Sequence, residues 1–148
     1  MTTISKHLPT ATRLFLGLVF TVFGLNFFLH FLPMPPAAPR AAAFAAALFG
    51  SGYFFPLLSA TQVAAGLLLL SGRFVTLALA VLAPIVINIV AFHLFLAPSG
   101  MALALAVLAA ESYLAWTYRA AFAPMLQARA PLPQKPAIAT SEPTRLAA

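Results

Sequence analysis

The sequence contains no cysteine, and only 7% of its 148 residues are charged. Without cysteine there can be no disulfide framework, thiolate metal site or thiol relay, which excludes membrane oxidoreductases that pass disulfide electrons to quinone through cysteine pairs. Soluble domains are roughly 25% charged, so this chain cannot cover itself with a water-facing surface. The composition therefore predicts an integral membrane protein, and the length favours one domain.

Apolar residues make up most of the chain: 63% are hydrophobic, and the mean hydropathy is +1.01. A helix needs about 20 apolar residues to cross the bilayer core. Four segments meet this requirement, at 14–32, 54–70, 74–97 and 101–118. The short second and third connections force antiparallel neighbours. The sequence therefore predicts an all-α fold, a transmembrane four-helix up-down bundle.

The remaining segments complete the predicted organisation. Residues 1–12 form an N-terminal segment, 13–123 the transmembrane domain and 124–148 a tail that is rich in proline and predicted to be disordered. Inside the first connection, 37–49 is rich in alanine, the best helix former. We expect a short helix there, lying at the membrane interface.

The formal charge of +6 comes from basic residues scattered between the apolar spans, which favours a role in membrane orientation over nucleic-acid binding. All of them except Arg40 lie on the side that carries both chain termini. The positive-inside rule therefore predicts that both termini lie in the cytoplasm. A cleaved signal peptide is disfavoured, because the first span is longer than usual and contains Asn26 and His30.

Six polar or ionisable side chains interrupt the apolar spans, and they lie in the outer half of the membrane or at its midplane. These candidate site residues are Asn26, His30, Gln62, Asn88, His93 and Glu111. One interpretation is that they only hold the helices together, since such groups commonly form hydrogen bonds between membrane helices. The other is a pocket open to the outside, lined by the amides and Glu111, with both histidines at its mouth.

Glu111 is the candidate catalytic residue. Inserting a carboxyl group near the bilayer centre costs about 2.5–3.5 kcal/mol, so this side chain should face protein and be protonated or hydrogen-bonded. Arg119 lies about 12 Å further along the same helix and cannot neutralise it. Glu111 is therefore expected to donate a hydrogen bond or exchange a proton, although a packing role is an equal alternative.

The two histidines lie at similar depths, as two axial ligands of a haem would. Both are near the headgroups, where histidine needs no ligand, so a polar interface role is favoured over haem or metal ligation, and no metal site is predicted. His93 also lies about 140° round an ideal helix from Asn88. The two should therefore not line one narrow face unless Pro84 distorts the helix.

Several short motifs, taken in order, resemble those of DoxX-like membrane proteins. They are Phe55-Pro56-Leu57-Leu58, Gln62 to Arg73, Ala83 to Ile89, Phe92-His93, Ala97-Pro98-Ser99-Gly100 and Trp116-Thr117-Tyr118-Arg119. The resemblance implies a four-helix inner-membrane protein. Some members are linked to thiosulfate:quinone oxidoreductases and others to oxidative-stress complexes at the membrane. Members often have an acid where this chain has Gln62, so no catalytic role is transferred.

Three functions remain open. The first is a redox-associated subunit that binds quinone or anchors a soluble or membrane oxidoreductase, with Glu111 handling protons and Asn88 and Gln62 orienting the ligand. The second is a small proton-coupled carrier that uses Glu111, either as a single chain or as a homo-oligomer. The third is a structural or assembly protein without a ligand. A non-catalytic subunit is favoured over an enzyme, quinone is the candidate cofactor, and the lipid bilayer is the expected partner.

Overall fold

The computed structural model describes residues 3–34 and 36–126, so most of the predicted tail, 127–148, lies outside the described residues. These residues form six α-helices and no strand, which confirms the all-α prediction. The helices are α1 (Thr3–Leu29), α2 (Pro39–Gly50), α3 (Phe54–Ser71), α4 (Val75–Phe95), α5 (Met101–Thr117) and α6 (Arg119–Phe122). Short 3₁₀ turns occupy Pro98–Gly100 and Ala123–Leu126.

Four of the helical segments are long and apolar enough to cross a membrane. They are His7–Leu29, Phe54–Ser71, Val75–Phe95 and Pro98–Thr117, and the third is the most apolar, with a hydropathy of 2.5. Large apolar side chains along these helices are exposed, including Leu18, Leu57, Leu67, Ile87 and Leu105. Since such side chains are stable next to acyl chains, the protein is a multi-pass membrane protein.

Helix α1 begins at Thr3, well before the predicted span, and continues through Pro9. The hydroxyl of Thr12 donates a hydrogen bond to the Leu8 carbonyl at 2.9 Å, so it is satisfied within the helix. Most of the predicted N-terminal segment is thus helical. The predicted span at 14–32 marks a continuous apolar run, whereas α1 also includes the more polar residues before it.

The other end of α1 is held by a side chain. Asn26 Oδ1 accepts a hydrogen bond from the Leu32 amide at 2.7 Å, and Asn26 Nδ2 donates to the Leu32 carbonyl at 3.4 Å. Between them, His30 has a positive φ of 51°, the left-handed conformation that often ends a helix. The helix therefore ends at Leu29 instead of continuing to the predicted Leu32.

Helices α1 and α3 pack antiparallel, with their backbones almost in contact. A Cβ at Gly17 would lie 3.0 Å from the Gly66 carbonyl oxygen, and a Cβ at Gly24 would lie 2.9 Å from the Ser59 carbonyl oxygen. The absence of side chains at these glycines therefore allows the close contact between the two helices. At one end of this pair, Arg13 donates hydrogen bonds to the carbonyls of Leu69 and, at 3.2 Å, Leu70.

The four spanning helices enclose one apolar core. Its fully buried large side chains are Leu16, Leu69, Leu79, Leu82, Val86 and Leu114. We call the end of the bundle that carries Arg13, Arg73 and Arg119 the basic end. The opposite end, formed by α2 and the Pro98–Gly100 turn, is the α2 end.

Candidate functional site

A groove of about 770 Å³ lies at the α2 end, between α2, α3 and α4. Its walls are mostly aromatic and aliphatic, and include Phe44, Leu48, Phe55, Leu58, Ile85 and Phe92. Three polar side chains also line it: Gln62 from α3, and Asn88 and His93 from α4. A mostly apolar groove of this size with a few polar groups is typical of a small-molecule site.

Gln62 is half-buried in the wall contributed by α3. Its side-chain amide makes no hydrogen bond to any residue from 3–34 or 36–126, and neither of its polar atoms is among the fully buried ones. Both the amide nitrogen and the amide oxygen are therefore available to a bound molecule, one as a donor and the other as an acceptor.

Asn88 lines the groove from α4 and is exposed. Its Nδ2 donates a hydrogen bond to the Pro84 carbonyl one turn earlier, at 2.9 Å. Because a carbonyl can only accept, this bond orients the amide and leaves Oδ1 as the free oxygen. At 1.5 Å per residue, Asn88 lies about 10 Å from the end of α4. An amide exposed at that depth in lipid is costly unless something hydrogen-bonds to it.

His93 lies near the groove mouth, about 3 Å from the end of α4. Its Nδ1 is 2.8 Å from the Ala97 carbonyl oxygen, which can only accept, so Nδ1 carries the hydrogen. The ring also lies directly against Gly100, where any Cβ would collide with the imidazole. Two contacts thus hold the ring in one orientation, with Nε2 as its remaining nitrogen.

Aromatic side chains join α2 to the rest of the groove. The rings of Phe44 in α2 and Phe92 in α4 lie 6.1 Å apart, and those of Phe49 and Phe55 lie 6.3 Å apart. Phe55 also stacks on Phe27 of α1, at 6.0 Å. Such pairs prefer defined geometries, so the short helix is positioned as one wall of the groove.

The predicted site residues do not all meet in this groove. Gln62, Asn88 and His93 line it, but Asn26, His30 and Glu111 do not. Asn26 binds the backbone of Leu32, and His30 is exposed at the end of α1. The expectation of a single pocket is corrected, because Asn26 and His30 lie where α1 ends and the Asn26 side chain is used to hold that end. Hydropathy cannot distinguish this role from ligand binding.

The prediction that Asn88 and His93 do not share one narrow helix face does not keep them apart, since both line the groove. The reason is its width: α4 contributes residues from Pro84 to Leu96, more than one narrow helix face. An angle of about 140° between two side chains excludes a shared stripe, but both can still contact the same broad groove.

Glu111 lies in the core, on the face of α5 that also carries Val107, Ala110 and Leu114. It is only 6% exposed, and its Oε1 has no hydrogen-bond partner within the described part of the chain. At 1.5 Å per residue it is about 15 Å from the start of α5 and about 9 Å from its end. The carboxyl group is therefore nearer the basic end than the α2 end, and is separate from the groove.

Two parts of the site could not be recognised in the sequence. The Ala97 carbonyl is a backbone group, and its role depends on the turn at Pro98–Gly100. In the sequence, Gly100 looks like an ordinary turn glycine. In the structure, its lack of a side chain leaves the space that the His93 ring occupies. The aromatic wall left a weak signal, because Phe44 and Leu48 are spaced i and i+4 on a helix otherwise made mostly of alanine.

In the described ranges, no group of three or more histidine, cysteine, aspartate or glutamate side chains could hold a metal ion. No model of a protein family, no curated protein and no solved structure matches the chain. The function is therefore argued from the groove and from the buried carboxyl group.

Proposed function

We propose that the protein is a DoxX-like, redox-associated membrane subunit that binds a quinone-class ring compound in the groove at the α2 end. The supporting observation is the convergence of three polar side chains from two helices, Gln62, Asn88 and His93, in an otherwise apolar groove. A quinone has matching chemistry, since its polar ring needs hydrogen-bond partners and its apolar tail is stable among acyl chains.

The side-chain amides of Gln62 and Asn88 orient the ring of the bound quinone. Gln62 lies about 12 Å from the start of α3, and Asn88 about 10 Å from the end of α4, so the two lie at similar depths on two different helices. Gln62 has a free donor and a free acceptor, and Asn88 has a free Oδ1. A ring placed between them satisfies groups that lipid cannot satisfy.

Equilibrium binding of a radiolabelled benzoquinone with a decyl tail tests the proposal, using the full chain in lipid nanodiscs. Gln62→Leu and Asn88→Leu should each weaken binding about fivefold, the effect of one hydrogen bond. Thr61→Val is the control, because Thr61 adjoins Gln62 but bonds the Leu57 carbonyl and does not line the groove. Equal binding by all of these variants, or no saturable binding by the native chain, would rule out the site.

We also propose that the protein lies in the plasma membrane with the basic end in the cytoplasm. Arg13, Arg73 and Arg119 at one end support this orientation under the positive-inside rule. Because the chain lacks cysteine, Arg73→Cys and Ser51→Cys each introduce a unique thiol. In intact cells a membrane-impermeant maleimide should label only Ser51→Cys. Labelling of only Arg73→Cys would reverse the orientation.

A second candidate function, a proton-coupled carrier, is favoured by one observation: the Glu111 carboxyl group is buried, with an unpartnered Oε1 in the described residues. Such groups are typical of intramembrane proton pathways. In proteoliposomes containing a pH-sensitive dye, a carrier predicts proton flux that Glu111→Gln abolishes. A redox subunit predicts no flux, and native mass spectrometry should then detect retained quinone or a companion oxidoreductase. A structural protein predicts neither result.

A further inference from the structure

We propose that His93 makes the groove selective for ligands that donate a hydroxyl hydrogen, so that it binds the hydroquinone form of its ligand more tightly than the quinone form. This inference rests on the proposed function and goes further, because it assigns a specificity-determining residue and the preferred chemical state of the ligand.

The first step is the state of the ring. Nδ1 of His93 is 2.8 Å from the Ala97 carbonyl oxygen. Since that oxygen has no hydrogen to donate, the hydrogen between them belongs to Nδ1. In the neutral imidazole the other nitrogen then has a free lone pair and no hydrogen. Nε2 is therefore an acceptor, and a ligand carbonyl cannot bond to it.

The second step is that this orientation is fixed. A Cβ at Gly100 would overlap the edge of the imidazole that carries both nitrogens, so the ring fits only because position 100 has no side chain. On its other side, the ring of Phe92 meets it edge-on, with centroids 5.4 Å apart. A ring flip that exchanged the two nitrogens would forfeit the Ala97 bond.

The third step is access. His93 is half-buried in the groove lining, and Nε2 is neither bonded to a described residue nor among the fully buried polar atoms. Asn88, deeper in the groove, tolerates either form, because its Oδ1 is free to accept and its Nδ2 has a second hydrogen besides the one bonded to the Pro84 carbonyl. Gln62 can donate or accept, so it tolerates either form.

Binding of three compounds to the full chain in nanodiscs, measured anaerobically at pH 8, tests the inference. They are a decyl hydroquinone, its dimethyl ether and the corresponding quinone. The ether keeps the ring and oxygens but cannot donate. We expect the native chain to bind the hydroquinone about fivefold more tightly than either of the others, the effect of one hydrogen bond.

Three variants test whether His93 causes the preference for the hydroquinone. In His93→Phe, which keeps a ring but removes the acceptor, the ratio of hydroquinone to quinone affinity should fall to about one. His93→Gln can place an amide oxygen near the position of Nε2 and should restore part of the preference. His30→Phe is the matched control, because that histidine is at the same end of the bundle but outside the groove, and the native ratio should be kept.

Gly100→Ala provides an independent variant, because it displaces the imidazole without changing it, and it should also reduce the ratio to about one. If His93→Phe does not fold, the ratio of hydroquinone to quinone affinity in Gly100→Ala tests the inference instead. Equal binding of all three compounds by the native chain, or an unchanged ratio in His93→Phe or Gly100→Ala, would overturn the inference but leave the binding site intact. Failure of all three compounds to bind would instead reject the proposed function.

Discussion

Gly66 of α3 lies directly against the backbone of Thr21 in α1: a Cβ at position 66 would come within 2.8 Å of the Thr21 amide nitrogen. The contact cannot relax by a side-chain rotation, since the neighbouring atom belongs to the main chain. The approach of α1 to α3 therefore depends on the absence of a side chain at this position.

Gly66→Ala is expected to lower the free energy of unfolding by about 1–3 kcal/mol, the usual range for overpacking. Unfolding in mixed detergent micelles, followed by circular dichroism, measures the change. Gly50→Ala is the matched control, because a Cβ at Gly50 meets nothing within 4 Å. Equal stability of the two variants would show that α1 and α3 can separate at little cost.

Arg13 joins the same two helices at the basic end, where it donates hydrogen bonds to the carbonyls of Leu69 and Leu70. Arg13→Met keeps much of the side-chain length but removes the donor from the Leu70 carbonyl, near the C-terminus of α3, and from the Leu69 carbonyl, which also accepts from the Gly72 amide at 3.1 Å. We expect a loss of about 1.5–3 kcal/mol, as for other charged hydrogen bonds. Arg73→Met, at an exposed position of the same end, should change stability by less than about 0.5 kcal/mol.

The two asparagines within the spans should behave in opposite ways. Asn26→Leu removes both hydrogen bonds to Leu32 and should lower stability by about 1–3 kcal/mol, while ligand affinity is kept. Asn88→Leu should weaken ligand binding and leave stability within about 0.5 kcal/mol, because Asn88 is exposed. Thermal unfolding and quinone binding, measured on both variants, check this prediction. If Asn26→Leu weakened binding and Asn88→Leu lowered stability, Asn26 would be the ligand-binding residue and Asn88 the structural one.

Replacing Glu111 should stabilise the protein. Its carboxyl group is buried with an unpartnered Oε1 in the described part of the chain, so Glu111→Leu removes a polar group whose burial is not compensated. We expect a gain of roughly 1–3 kcal/mol in detergent unfolding. Ser112→Leu, on the exposed side of the same helix, is the control and should have little effect. A strongly destabilised Glu111→Leu would mean that the carboxyl group has a partner.

Much of the fold could be predicted because long apolar segments have few alternatives in lipid. The start of α3 at Phe54 and of α5 at Met101 agree with the predicted spans, and the helix in the first connection appears at Pro39–Gly50. The ends of α1 could not be predicted. They depend on α1 extending back to Thr3, before the apolar run, and on the side chain of Asn26.

The candidate site was predicted only in part. Polar side chains stand out in apolar spans, so Gln62, Asn88 and His93 could be selected, but so were Asn26 and His30, which lie at the end of α1. A sequence shows that a side chain is polar in a membrane, and not which backbone group satisfies it. The separation of Glu111 from the groove follows from the rotation of α5, which these spacings do not determine.

By itself, the sequence determined that this chain crosses a membrane as antiparallel helices. The polar backbone groups of an apolar segment in lipid must form hydrogen bonds within the segment, as they do in a helix, and the short connections allow only antiparallel neighbours. Only the tertiary structure decided which polar groups share a groove. That choice depends on how each helix is rotated and on a single backbone carbonyl, at Ala97, which orients the His93 ring.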